Sequence, residues 1–113
     1  MTLEKLAILI DLELIEAEER IMSATDFNNN NEFIKRYIKG YISGLSTIQL
    51  SFNILNILSL QAIKEFAGKQ WVANYEKQKE IVGEHNDTGK PHLEGCYYQG
   101  KLECYKFIQS VIK

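Results

Sequence analysis

Residues 40–63 read GYISGLSTIQLSFNILNILSLQAI, a run of 24 positions without a charged side chain. Within this run and just before it, the apolar residues are spaced alternately by four and three, which is typical of a helix. They are Ile34, Ile38, Tyr41, Leu45, Ile48, Phe52 and Leu55. A strand at 50–54 competes with this interpretation, but its alternation of apolar and polar residues fails at 55–56. The run therefore predicts an all-α fold, a bundle of three to four helices with a long uncharged helix at its centre.

The uncharged run is long enough to cross a bilayer, which needs about 20 predominantly apolar residues. Its composition does not fit, because its side-chain amides would lack hydrogen-bond partners in hydrocarbon. These amides belong to Gln49, Asn53, Asn56 and Gln61. The first residues, MTLEK, also lack the basic region and cleavage site of a signal peptide. We therefore expect a cytoplasmic protein that does not enter a membrane.

The chain has the length of one domain, which we place at residues 1–113. Its net charge of −2 comes from 13 basic and 15 acidic residues. Neither half has the strong basic excess of a nucleic-acid-binding protein, so no nucleic-acid partner is predicted. Cys96 and Cys104 lie about 12 Å apart along a predicted helix, which is too far for a disulfide. We expect both thiols to be reduced.

The first predicted helix carries two apolar stripes. One has the alternating spacing of a coiled-coil seam and consists of Leu3, Ala7, Ile10, Leu14, Ala17 and Ile21. The second lies beside it and consists of Ile8, Leu12, Ile15 and Met22. Because one short chain has few other surfaces to cover both stripes, the pattern predicts self-association as a homodimer or a larger oligomer.

Small residues line one face of the second helix, at Gly40, Gly44, Thr47 and Ser51. They predict that a neighbouring helix crosses this face closely. A Tyr-x-x-Gly pair occurs at residues 41–44 and again at 97–100, but the flanking sequences do not align, so no repeat is predicted.

The helical pattern becomes less regular after Ser59, where residues 61–82 form either a third helix or a kinked continuation of the second. A polar segment bounded by glycines, residues 83–90, predicts a loop. Pro91 suits the first position of a last helix, which then extends towards the end of the chain.

Few residues suggest chemistry. His85, His92, Cys96 and Cys104 supply the ligand types of a zinc site, but their spacing is not that of a zinc finger, and the Cys/His couples fit no nucleophile signature. The acidic residues of the first helix lack the Glu-x-x-His pairs of di-metal bundles, so they are interpreted as an exposed acidic face. They are Asp11, Glu13, Glu16, Glu18 and Glu19. We predict no metal, no cofactor and no enzymatic activity.

A group of aromatic residues is interspersed with lysines in the second half of the chain. The aromatic members are Trp71, Tyr75, Tyr97, Tyr98 and Tyr105, and the lysines are Lys69, Lys77, Lys101 and Lys106. Tyrosine and tryptophan combine apolar area with a polar tip, which favours a surface that contacts another protein or subunit. The alternative is a pocket in which the rings and lysines bind a small molecule or nucleotide.

The composition, a short helical chain rich in lysine and isoleucine, resembles that of small proteins encoded by phages and mobile elements. We therefore predict a non-enzymatic binding or inhibitor protein, an accessory protein that contacts other proteins. Binding residues are often found on loops held by a rigid scaffold, so the site is predicted around 83–90 and the next helix. Its residues are His85, Asp87, His92, Tyr97, Tyr98 and Lys101.

Overall fold

Four α-helices make up the protein in a computed structural model that describes residues 1–26, 32–54, 59–84 and 93–112. The helices are α1 (Leu3–Asp26), α2 (Glu32–Asn53), α3 (Leu60–Glu84) and α4 (Leu93–Val111). No strand occurs within these ranges, so the predicted all-α class is confirmed. None of the described helices is long and apolar enough to cross a membrane.

The helices α2 and α4 form the closest pair, and two glycines bring their backbones into contact. A Cβ atom on Gly40 would overlap the carbonyl oxygen of Tyr97, and one on Gly100 would overlap the carbonyl oxygen of Tyr37. A Cβ atom on Gly44 would lie only 2.8 Å from both the Cβ and the Sγ of Cys104. The predicted close crossing is therefore confirmed, and its partner is α4.

The other two helices flank this crossing, with α1 packed on α2 and α3 packed on α4. Polar side chains also link neighbouring helices. The Gln78 side chain on α3 donates a hydrogen bond to the Gln99 side-chain oxygen on α4 (2.9 Å), and Arg36 on α2 pairs with Glu94 on α4 at 3.3 Å. The result is a four-helix arrangement in which α2 and α4 are central.

The uncharged run does not form one long central helix, which corrects the prediction. It is divided between α2, which ends at Asn53, and α3, which begins at Leu60. Ser59 explains the new start, because its Oγ accepts a hydrogen bond from the backbone N–H of Ala62 (3.0 Å), as an N-cap does. Residues 61–82 accordingly belong to a separate third helix, and residues 55–58 lie outside the described residues.

The core lies where all four helices meet. Its buried members are Leu6, Ile10, Leu45, Ile48, Ile63, Ala67, Cys104, Tyr105, Ile108 and Ile112. On α1 the predicted seam is only partly right, because Leu6 is fully buried whereas Ala7 is half-buried. On α4 the buried residues lie on more than one face, since this helix packs against both α2 and α3.

Candidate functional site

Three of the predicted site residues lie together on α4. The Lys101 Nζ lies 5.0 Å from the ring centre of Tyr97 and 5.5 Å from that of Tyr98, and the two rings meet edge to face, 5.6 Å apart. These are cation–π distances. The other three predicted residues, His85, Asp87 and His92, lie outside the described residues.

The remaining aromatic residues do not join that cluster. Trp71 and Tyr75 stack on each other along α3, with ring centres 5.0 Å apart, and the Lys79 Nζ lies 5.6 Å from the Tyr75 ring. Tyr105 is buried in the core and cannot line a surface site. The aromatic group predicted from the sequence is therefore divided into two surface clusters and one core residue.

A depression of about 600 Å³ lies on the outer side of α3. It is lined by Glu65, Gly68, Lys69, Val72, Ala73 and Glu76. Of the aromatic residues and lysines grouped in the sequence, only Lys69 lines it. Because all six residues come from one helix, the depression is open rather than enclosed by several elements.

Cys104 is buried, and its thiol is held in the protonated form, which is the less nucleophilic one. Burial, together with the nearby Glu13 carboxylate, raises the pKa of the Cys104 thiol to about 12, so the thiol is protonated at neutral pH. Cys96 is half-buried, and both cysteines are free. The described parts of the chain contain no group of three or more metal-ligating side chains.

Two acidic residues of the predicted acidic face of α1 contact α2. Glu13 is half-buried and accepts a hydrogen bond from the Tyr41 hydroxyl. Burial and the Glu13 charge raise the pKa of Tyr41 well above its usual range. The Asp11 carboxylate accepts a hydrogen bond from the Gln49 side chain at 2.8 Å. Both carboxylates therefore attach α1 to α2. Asp11 is nevertheless exposed, as predicted, like Glu16, Glu18 and Glu19, and only Glu13 does not fit the prediction.

The outer face of α1 exposes four large apolar side chains that no described helix covers. Their exposed fractions lie between 55% and 69%. We call these residues the α1 stripe; they are Ile8, Leu12, Ile15 and Met22. They are the second stripe of the sequence pattern, which predicted a contact surface but was not included among the predicted site residues. The sequence signal for this surface is the four-three spacing of apolar residues on a second face of the same helix.

Comparison of the chain with protein-family models, with curated proteins and with solved structures found no match.

Proposed function

We propose that this chain is a non-enzymatic binding protein, of the inhibitor or accessory type, that docks the α1 stripe against another protein. One observation carries this proposal: four large apolar side chains, each more than half exposed, lie in line on one face of a single helix. Scattered exposed apolar residues are ordinary, whereas large apolar side chains aligned on one helix face and bordered by polar residues are characteristic of a contact surface.

The size of the stripe limits what it can do alone. Completing the burial of four such side chains contributes roughly 4–6 kcal/mol, whereas association costs about 4–15 kcal/mol in lost freedom. The apolar contact by itself therefore gives no tight complex. The partner must also contact the polar residues that border the stripe.

Site-specific photo-crosslinking tests this proposal. A photoreactive amino acid at Leu12 should crosslink to a partner protein in extracts of the native host, whereas the same group at Val72 should not. Val72 is a matched control because it is also apolar and exposed (52%) but lies on α3.

The crosslinked protein is then purified and titrated against the chain. Ile8→Glu/Ile15→Glu should weaken binding at least about tenfold, while Val72→Glu should leave it unchanged. Equal crosslinking from both positions, or an affinity that the double variant does not alter, would refute the α1 stripe as the docking surface.

A second candidate function is the binding of a nucleotide or another small anionic aromatic molecule at Tyr97, Tyr98 and Lys101. The observation in its favour is an ammonium group held beside two ring faces, which together can contact phosphate and stack on a base. Calorimetric titration with nucleotides should then detect binding that Lys101→Ala abolishes and that Lys106→Ala, an exposed lysine of the same helix, retains. Heat signals that are the same for both variants would exclude this site.

A further inference from the structure

The α1 stripe has one acidic edge. Glu4, Asp11 and Glu18 follow one another at intervals of seven residues, so they lie in a row along the same side of the helix. All three are exposed. The opposite edge is mixed and includes Glu16 and Arg20. The surface that a partner meets is therefore an apolar stripe with three carboxylates along one side, spaced about 10 Å apart.

We propose that the occupant of this surface is a basic amphipathic α-helix of another protein. Its apolar residues would recur at four-three spacing and cover the α1 stripe, and its lysines or arginines would recur every seven residues and face the row of carboxylates. This inference rests on the proposed function, because it names the partner chemistry of the same docking surface. Charge complementarity along the row supplies the contacts that the stripe alone lacks.

A second copy of this chain fits the surface less well, because either orientation brings like charges together. In an antiparallel pair the acidic edge of α1 lies against the acidic edge of the other copy. In a parallel pair in register, Lys5 lies opposite Lys5 and Glu19 opposite Glu19, within the line of the stripe itself. Like charges facing each other across a helix interface disfavour the pairing.

Two synthetic helical peptides test the proposal directly. They share the same apolar face at four-three spacing and differ only in three edge positions, which are lysine in one peptide and glutamate in the other. Fluorescence anisotropy with the whole protein should show the lysine peptide binding at least about tenfold more tightly. The difference should shrink when salt is raised from 0.1 M to 1 M, because the screening length falls from about 10 Å to about 3 Å.

Charge reversal on the protein makes the test specific to the acidic edge. Glu4→Lys/Glu18→Lys should reverse the preference, so that the glutamate peptide binds more tightly. Asp11 is left unchanged because it bonds Gln49. The matched control is Glu76→Lys/Glu80→Lys, which alters the net charge equally on exposed positions of α3 and should keep the original preference. Circular dichroism verifies that both variants retain the wild-type helix content.

The possible outcomes separate this inference from the proposed function. Equal binding of both peptides that is lost in Leu12→Glu overturns the basic-partner inference but leaves the α1 stripe as a docking surface. Binding that Leu12→Glu does not change overturns both. Sedimentation that shows a dimer of the wild-type chain, dissociated by Leu12→Glu, identifies a second copy as the occupant and also overturns the inference.

Discussion

The α2–α4 crossing and the outer face of α1 have the same kind of sequence, apolar residues at four-three spacing, but opposite environments. At the crossing two glycines bring the backbones into contact, and Ile38, Leu45 and Ile48 of α2 are buried there. On α1 only one face contacts the rest of the protein, through Leu6, Ile10 and two hydrogen-bonded carboxylates. The periodicity of the sequence therefore indicates which residues share a helix face. Whether that face is buried depends on whether another helix packs against it.

The largest loss of stability should come from adding a side chain where the backbones of α2 and α4 are in contact. In Gly100→Ala the new methyl group would overlap the Tyr37 carbonyl oxygen, a backbone atom that cannot move without separating the helices. We expect a loss of about 3 kcal/mol or more in the free energy of unfolding, measured by chemical denaturation. Gly68→Ala is the control, because its methyl group meets only the end of the Gln109 side chain. Equal stability of the two variants would contradict the close backbone contact.

A smaller loss should follow one turn further along the same crossing. Gly44→Leu drives a side chain against the Cβ and Sγ of Cys104, so we expect destabilisation of about 1–3 kcal/mol. Combining it with Cys104→Gly, which removes both atoms, should give a double variant more stable than the sum of the two single effects. A raised melting temperature for Gly44→Leu would place the crossing elsewhere.

The free energy of unfolding should fall at alkaline pH because of Cys104, which lies at the crossing and close to Glu13 of α1. The pKa of Cys104 is raised from 9.0 to about 12 in the folded protein, so the folded state retains a proton that the unfolded state loses. The stability from this group is complete below pH 9.0 and is lost as the pH approaches 12, by roughly 1 kcal/mol per pH unit. Denaturation at pH 8 and pH 10 measures the loss, and Cys104→Ala should reduce it. Tyr41, whose pKa is also raised, should add to the loss at higher pH.

The smallest effect is expected on the outer face of α1. Leu12→Ala should change the free energy of unfolding by less than about 0.5 kcal/mol, because the side chain is already exposed. Leu6→Ala, on the same helix but fully buried, should cost about 2–5 kcal/mol. Thermal unfolding of both variants gives the comparison. A large loss for Leu12→Ala alone would indicate that this face is covered in solution, as self-association would require.

Much of the fold could be predicted because helix periodicity and glycine spacing are local properties. The four-three pattern predicted helices throughout, and Gly40 with Gly44 predicted a close crossing. The division of the uncharged run was harder, since it depends on the cap that Ser59 provides for α3. The predicted seam on α1 included Ala7 instead of Leu6. These two residues are adjacent, so either can belong to an apolar stripe with four-three spacing, and the position of α2 decides which one is buried.

The sequence predicted the part of the candidate site whose residues are close together in the chain. Tyr97, Tyr98 and Lys101 come together because they lie within one turn of one helix. Tyr105 belongs to the core instead, and Glu13 faces Tyr41 rather than solvent. Both outcomes depend on which helix packs on which face, and the spacing of residues along one helix does not specify that.

The glycine contacts also have a consequence for symmetry. The atoms that Gly40 meets belong to Tyr97 and Lys101, and those that Gly100 meets belong to Tyr37 and Tyr41. Each contact therefore has a counterpart in which the two residue numbers differ by 60 from those of the first. Such paired contacts are what the two identical subunits of an isologous dimer make with each other. The same shift relates the hairpin of α1 and α2 to that of α3 and α4, and it relates exposed Leu12 to exposed Val72. The single chain thus contains the two-fold contact that elsewhere requires two subunits, and its two outer helices are pseudo-equivalent surfaces that the sequence has made different.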